Sequence, residues 1–77
     1  QIVKVYPNPS EGEFWLNVPS DFGDSQVEVS DISGRQVFTK KLQSQKERIN
    51  MNVASGIYLL KVFNGERAET LKCIIVK

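Results

Sequence analysis

The sequence predicts an all-β fold built as a sandwich or barrel, and three observations carry that prediction. Seven short strand-like segments run along the chain, and EFWLNV, QVEVSD and ERINMNV among them alternate apolar residues with period two. Turn-forming residues separate those segments at regular intervals. No segment holds an i, i+3, i+4, i+7 stripe long enough for a helix.

The first strand reads through QIVKVY, with Ile2, Val3, Val5 and Tyr6, and stops at Pro7, which has no N–H to give to a ladder. EFWLNV sets Phe14, Leu16 and Val18 on one face and Trp15 and Asn17 on the other. QVEVSD alternates Val27 and Val29 with Glu28 and Ser30, the pattern of a strand wet on one side. QVFTKKL and ERINMNV follow, the second with Ile49, Met51 and Val53 at period two. GIYLLKVF is apolar on both faces and is expected to be a central strand covered on both sides. AETLKCIIVK ends the chain, and its CIIVK portion is also apolar on both faces, a liability for a last strand unless something covers it.

The turns follow from their residues. In DISGR, Asp31 can cap backbone N–H groups with its carboxylate and Gly34 supplies a positive φ. VPSDFGDS reads as a longer polar loop, and ASG resets the chain before Ile57. Asn64-Gly65 signals a hairpin. A two-residue loop there pairs Leu60 with Glu69 and Ile57 with Lys72. A three-residue loop with a bulge pairs Lys61 with Glu69, Leu59 with Leu71 and Ile57 with Cys73. The second register is preferred because opposite charges meet and apolar pairs share a face.

A chain of 77 residues fits one domain, spanning 1–77, with a small core. A net charge of +1 argues against a nucleic-acid partner, and the basic stretch Lys40, Lys41, Lys46, Arg48 is broken by Gln and Glu and reads as a solvated face. The lone Cys73 can make no internal disulfide and, in its apolar strand, reads as a small buried hydrophobe. There is no histidine, which removes the commonest general base and metal ligand, and no GxGxxG or P-loop. Asp21 and Asp24 flank Phe22-Gly23 but match no calcium loop and read as solvated caps. Glu11 and Glu13 flank Gly12, with little concave space for a sugar between them. No enzyme activity, cofactor or metal is therefore expected. Trp15 reads as a half-buried packing residue, with sugar stacking as the alternative. There is no signal peptide and no apolar run near the 18 residues of a membrane span. The chain begins in a strand without an initiator Met and is expected to be excised from a longer precursor.

The opening VYPNPSEGEF asks why a small domain would stiffen one corner with two prolines. Pro7 and Pro9 fix φ and push the residues before them toward extended geometry, and Asn8 can bridge the turn with its amide. Taken with VEVSDISGRQVF, SGIYLLKVFNG and TLKCIIVK, in this order and to the last residue, the chain resembles the C-terminal sorting domain of type IX secretion cargo proteins. The resemblance implies an immunoglobulin-like antiparallel β-sandwich of about seven strands. It implies a secretion signal that takes its upstream cargo from the periplasm across the outer membrane, to the cell surface or the medium. The implied partners are the type IX translocon, an outer-membrane shuttle protein and a sortase-like cysteine protease that normally cleaves the domain off. Tyr6, Pro7, Asn8, Pro9 and Gly12 match the family's first motif. Asp31, Gly34 and Arg35, with Gly56 and Tyr58, match its middle motifs and are expected to be structural, glycine for backbone angles and Tyr58 for packing. Thr70, Lys72, Ile74, Ile75, Val76 and Lys77 match the terminal strand that the machinery needs, whose free edge could be read by strand addition or by docking into a groove, with ordinary packing of the last strand as the alternative. A dimer through that strand stays open. The alternatives are a carbohydrate-binding or spacer module of an extracellular hydrolase and an adhesin repeat.

Overall fold

Alternation in the sequence becomes two stacked sheets. The computed structural model describes residues 2–77, with the backbone alone for Asp21. Its strands are β1 (Lys4–Tyr6), β2 (Glu13–Asn17), β3 (Gln26–Asp31), β4 (Gln36–Lys41), β5 (Lys46–Asn50), β6 (Gly56–Phe63) and β7 (Ala68–Ile75). One sheet has the order β1-β2-β5 and the other β4-β3-β6-β7, and every pair within them is antiparallel. In the constant-type immunoglobulin arrangement the fourth strand joins the first, second and fifth; here it lies beside the third instead.

The core forms where the two inner faces meet. Phe14, Leu16 and Ile49 from the three-stranded sheet face Val29, Leu60 and Ile75 from the other, all 1% exposed or less. The expected alternation in β2 and β3 holds residue by residue. Strand β5 stops at Asn50, yet Met51 stays buried and Val53 half-buried, so the period outlasts the ladder. The expected first strand began at Gln1, which lies outside the described residues; β1 starts at Lys4 and ends, as Pro7 requires, at Tyr6. The 18–25 loop is not wholly polar. A 3-10 turn at Ser20–Phe22 drives Phe22 into the open end of the core, with the Arg67 guanidinium 4.6 Å from its ring centroid.

Two expectations need correction. Strand β6 is central in its sheet but covered on one face only, because the fold has two layers and none of the described residues stacks outside the four-stranded sheet. Ile57 and Leu59 are each 47% exposed. Neither expected hairpin register occurs. Strands β6 and β7 pair Val62 with Glu69, Leu60 with Leu71 and Tyr58 with Cys73. The loop is four residues, 64–67, because Asn64 organises it. Its N–H donates to Arg67 O at 2.9 Å, its Oδ1 accepts from the N–H of Glu66 and Arg67 at 2.8 Å, and its Nδ2 donates to Phe22 O. A slip of one residue would set Leu71 and Cys73 opposite Leu59 and Ile57, on the solvent side. Core burial therefore overrules the charge pairing that favoured the other register.

The basic stretch is not one patch. Lys40 turns inward to Glu47 at 3.0 Å, whereas Lys46 and Arg48 lie on the outer face of the other sheet, over Trp15 and paired with Glu13 at 2.6 Å. Burial works to raise the Glu47 carboxyl pKa. The Gln43 N–H at 2.5 Å, Lys40, and the Ser44 N–H at 3.0 Å outweigh it and hold the group below its ordinary value.

One-sided burial of β6 has a measurable consequence. Leu60→Ala is expected to cost about 2–5 kcal/mol in urea denaturation, by lost transfer energy plus a cavity. Its neighbour Leu59→Ala is expected to cost about 1 kcal/mol or less. Equal costs would contradict the two-layer arrangement.

Candidate recognition end of the sandwich

Strands that alternate in direction gather alternate connections at one end. The β1–β2 corner, the β3–β4 turn, the 51–55 segment and the residues after β7 all lie at the same end of the sandwich. Motifs far apart in sequence thus become neighbours.

The corner does not close on itself. Asn8 was expected to bridge its own turn; its side chain instead reaches the edge of β7. Asn8 Nδ2 donates to Lys72 O and Asn8 Oδ1 accepts from the Ile74 N–H, both at 2.9 Å. Ser10 continues the contact: its N–H donates to Ile74 O at 3.0 Å and its C=O accepts from the Val76 N–H at 2.8 Å, making a parallel bridge to Ile75. The free edge expected for the last strand is therefore occupied by the chain itself from Lys72 to Val76. The physical reason is topological. Strand β1 belongs to the other sheet, so the chain must cross the seam before β2 begins. Pro7 and Pro9 have no N–H to pair, and the Asn8 amide and the Ser10 backbone supply the rungs. Both X-Pro bonds, Tyr6–Pro7 and Asn8–Pro9, are cis.

Gly12 completes the corner. It has φ +111° and its C=O accepts from the Met51 N–H at 2.8 Å, while its N–H donates to Ser10 Oγ at 3.2 Å. A Cβ there would lie 2.6 Å from Met51 O.

The end of the chain is pinned to this frame. The Lys77 N–H donates to Ser55 Oγ at 2.9 Å and Lys77 Nζ to Asn52 Oδ1 at 3.3 Å. Thr70, Lys72, Val76 and Lys77 are exposed and Ile74 is half-buried, but Ile75 points into the core. Tyr58 is buried, and its hydroxyl donates to Ala54 O at 2.5 Å, fixing the 54–58 segment much as a tyrosine corner does in immunoglobulin domains. Gly56 was expected for its backbone angles, but its φ is not positive; a Cβ there would meet the Tyr58 ring at 3.7 Å, an ordinary contact. In the 31–35 turn, Asp31 Oδ1 accepts from the N–H of Ser33 and Arg35 at 3.0 Å and from Ser33 Oγ at 2.6 Å, and Arg35 Nε lies 3.3 Å from Asp31 Oδ2. These donors, Ser33 first, hold the Asp31 carboxyl below its ordinary value. Gly34 has φ +94°, as expected of the turn.

A groove of about 490 Å³ runs beside the corner, lined by Pro7, Pro9, Ser10, Glu11, Glu13 and Val76. Among the described residues no group of three or more His, Cys, Asp or Glu is placed to hold a metal, and the Asp21 side chain lies outside them. Burial pushes the Cys73 thiol up from 9.0 to about 11, so it stays protonated within the core. Trp15 is 39% exposed and lies beside Tyr6 across the β1–β2 ladder, with Lys46 Nζ 5.0 Å from its ring centroid. Ser10, Asn52 and Ser55 went unnoticed in the sequence. A polar residue in a turn gives no periodic signal, and what singles these out is a partner more than 20 residues away.

Gly12→Ala is expected to lower stability by about 1–3 kcal/mol, from backbone strain added to the clash with Met51 O. Gly23→Ala, at φ +63° and ψ −144° with open space around it, should cost about 1–2 kcal/mol from a backbone region that glycine alone adopts readily. Chemical denaturation of both variants checks this, and a Gly12→Ala cost no larger than that of Gly23→Ala would contradict the close approach.

No match was found among curated proteins. Among solved structures, the chain is similar to PorZ, an essential bacterial surface component of the type IX secretion system of Porphyromonas gingivalis. The TM-score is 0.77 at 19% identity, covering 97% of this chain and 11% of that one, and the likeness is one of fold. The family described as "Secretion system C-terminal sorting domain" matches residues 4–77. The chain belongs to that family, the C-terminal sorting domains of type IX secretion.

Proposed function

We propose that the motif-bearing end of this sandwich is what the type IX translocon reads, and that the domain thereby carries an upstream cargo from the periplasm across the outer membrane. The family is one of sorting signals, not of catalysts, and it implies export to the cell surface or secretion. The observation that carries the finer reading is convergence. The corner at Tyr6–Gly12, the turn at Asp31–Arg35, the Gly56–Tyr58 segment and the last residues of the chain meet at one end, where Lys77 is tied to Ser55 and Asn52. An outer-membrane shuttle protein would receive the exported domain, and a sortase-like cysteine protease would cut upstream of β1. At that end Val76 and Lys77 would meet the translocon through exposed side chains, Ile74 in part, and Ile75 by anchoring the strand in the core; Thr70 and Lys72 lie further back along β7, and their exposed side chains would extend the contact down its flank.

A fluorescent reporter fused upstream of the domain, behind a Sec signal peptide in a type IX-competent bacterium, tests this. The reporter is expected at the surface or in the medium, and to be lost from both in a translocon-null strain. Deleting Ile74–Lys77 is expected to abolish export while expression persists. Because that deletion also removes the core residue Ile75, Lys72→Glu/Lys77→Glu, confined to exposed side chains, separates recognition from folding and is expected to lower export of a folded domain. Reporter held in the periplasm of the competent strain would overturn the reading in favour of a spacer or sugar-binding module.

A further inference from the structure

In an antiparallel pair, alternate residues of an edge strand turn their N–H and C=O outward. On β7 the Lys72 C=O, both groups of Ile74 and the Val76 N–H do so, because they bond to Asn8 and Ser10. By the same alternation the outward set includes Thr70 and the Lys72 N–H, for which no partner beyond β6 occurs among the described residues. The edge is therefore half covered. Its cover is slight: Pro7, Asn8 and Pro9 are exposed, both Asn8 bonds are exposed to solvent, and only Ser10 is buried. Upstream, the Val3 N–H donates to Glu69 Oε2 at 3.2 Å, so the opening segment touches β7 near its start through Val3 and near its end through Ser10, while β1 between them pairs in the other sheet.

We infer that the β7 edge from Thr70 to Val76 is a docking surface for an extended segment of a partner protein, running parallel to β7, and that the 7–10 corner is a strap such a segment displaces. The strap itself shows what the edge accepts: two bonds from the Asn8 side-chain amide and one parallel bridge from the Ser10 backbone. A partner strand would extend the pairing to Thr70, set an apolar side chain on the inner side against half-buried Leu71, and set an acidic one on the outer side beside exposed Lys72. As a means of controlling export, this device rests on the reading above. As a property of the edge it does not, so it is tested on the purified chain without any secretion machinery.

The probe is a synthetic peptide with the sequence of residues 3–12, which carries the strap's own pairing groups. Asn8→Ala is expected to raise amide exchange at Ile74 about tenfold or more, with Val29 and Leu60 unchanged. The peptide is expected to shift the Lys72, Ile74 and Val76 resonances of that variant and to bind the native chain about tenfold more weakly. Unchanged exchange at Ile74, or equal peptide affinity for the two chains, would overturn the inference. If Asn8→Ala does not fold, Asn8→Asp decides, since it keeps the acceptor for Ile74 and loses the donor to Lys72. Tighter peptide binding than to the native chain is expected, and equal binding overturns the inference.

Discussion

The contact of the 8–10 segment with the edge of β7 is the constraint on which the rest of this sandwich depends. Strand β1 pairs with β2 in one sheet, yet the residues just after it bond to β7 in the other. One short stretch thus closes the seam between layers and ties the beginning of the described chain to its end. Without it, β7 would be an open edge with the apolar residues Ile74 and Val76 beside it, the kind of edge that invites unwanted pairing. Two prolines are compatible with this position because the rungs come from an amide side chain and a serine backbone.

The rest of the stability comes from packing on a small scale. There is no disulfide, since the one cysteine is free and buried. Each sheet contributes one apolar face, and the loops add Phe22 at one end and Met51 at the other. Polar groups drawn into this core are answered locally. Glu47 collects the N–H groups of Gln43 and Ser44 and the ammonium of Lys40, and the Tyr58 hydroxyl finds Ala54 O. No buried side-chain nitrogen or oxygen is left without a partner among the described residues.

How much of this is legible in the sequence depends on the range of the interaction. Period-two alternation is local, so the strands and the inward faces of Phe14, Leu16, Val27 and Val29 could be read directly. The Asp31 turn is also local, with all its partners within four residues. The hairpin register is not legible locally, because Asn64 answers to Phe22, 42 residues upstream, as well as to its own loop. The role of Asn8 is hidden for the same reason, its partners lying 64 and 66 residues away. The outer face of β6 looked buried because Ile57 and Leu59 are apolar, and composition alone does not say whether a third layer exists. The motifs of the candidate site could be recognised in the sequence, but their meeting at one end required the strand directions.

The seam itself is open to direct observation. NMR scalar couplings transmitted through hydrogen bonds report donor and acceptor together, without a variant or a binding partner. The structure requires a coupling from the Ser10 N–H to the Ile74 C=O and another from the Val76 N–H to the Ser10 C=O, with both amides protected from exchange. If neither coupling is seen, and both amides exchange as fast as that of exposed Gly65, the two ends of the chain are not joined and the account fails.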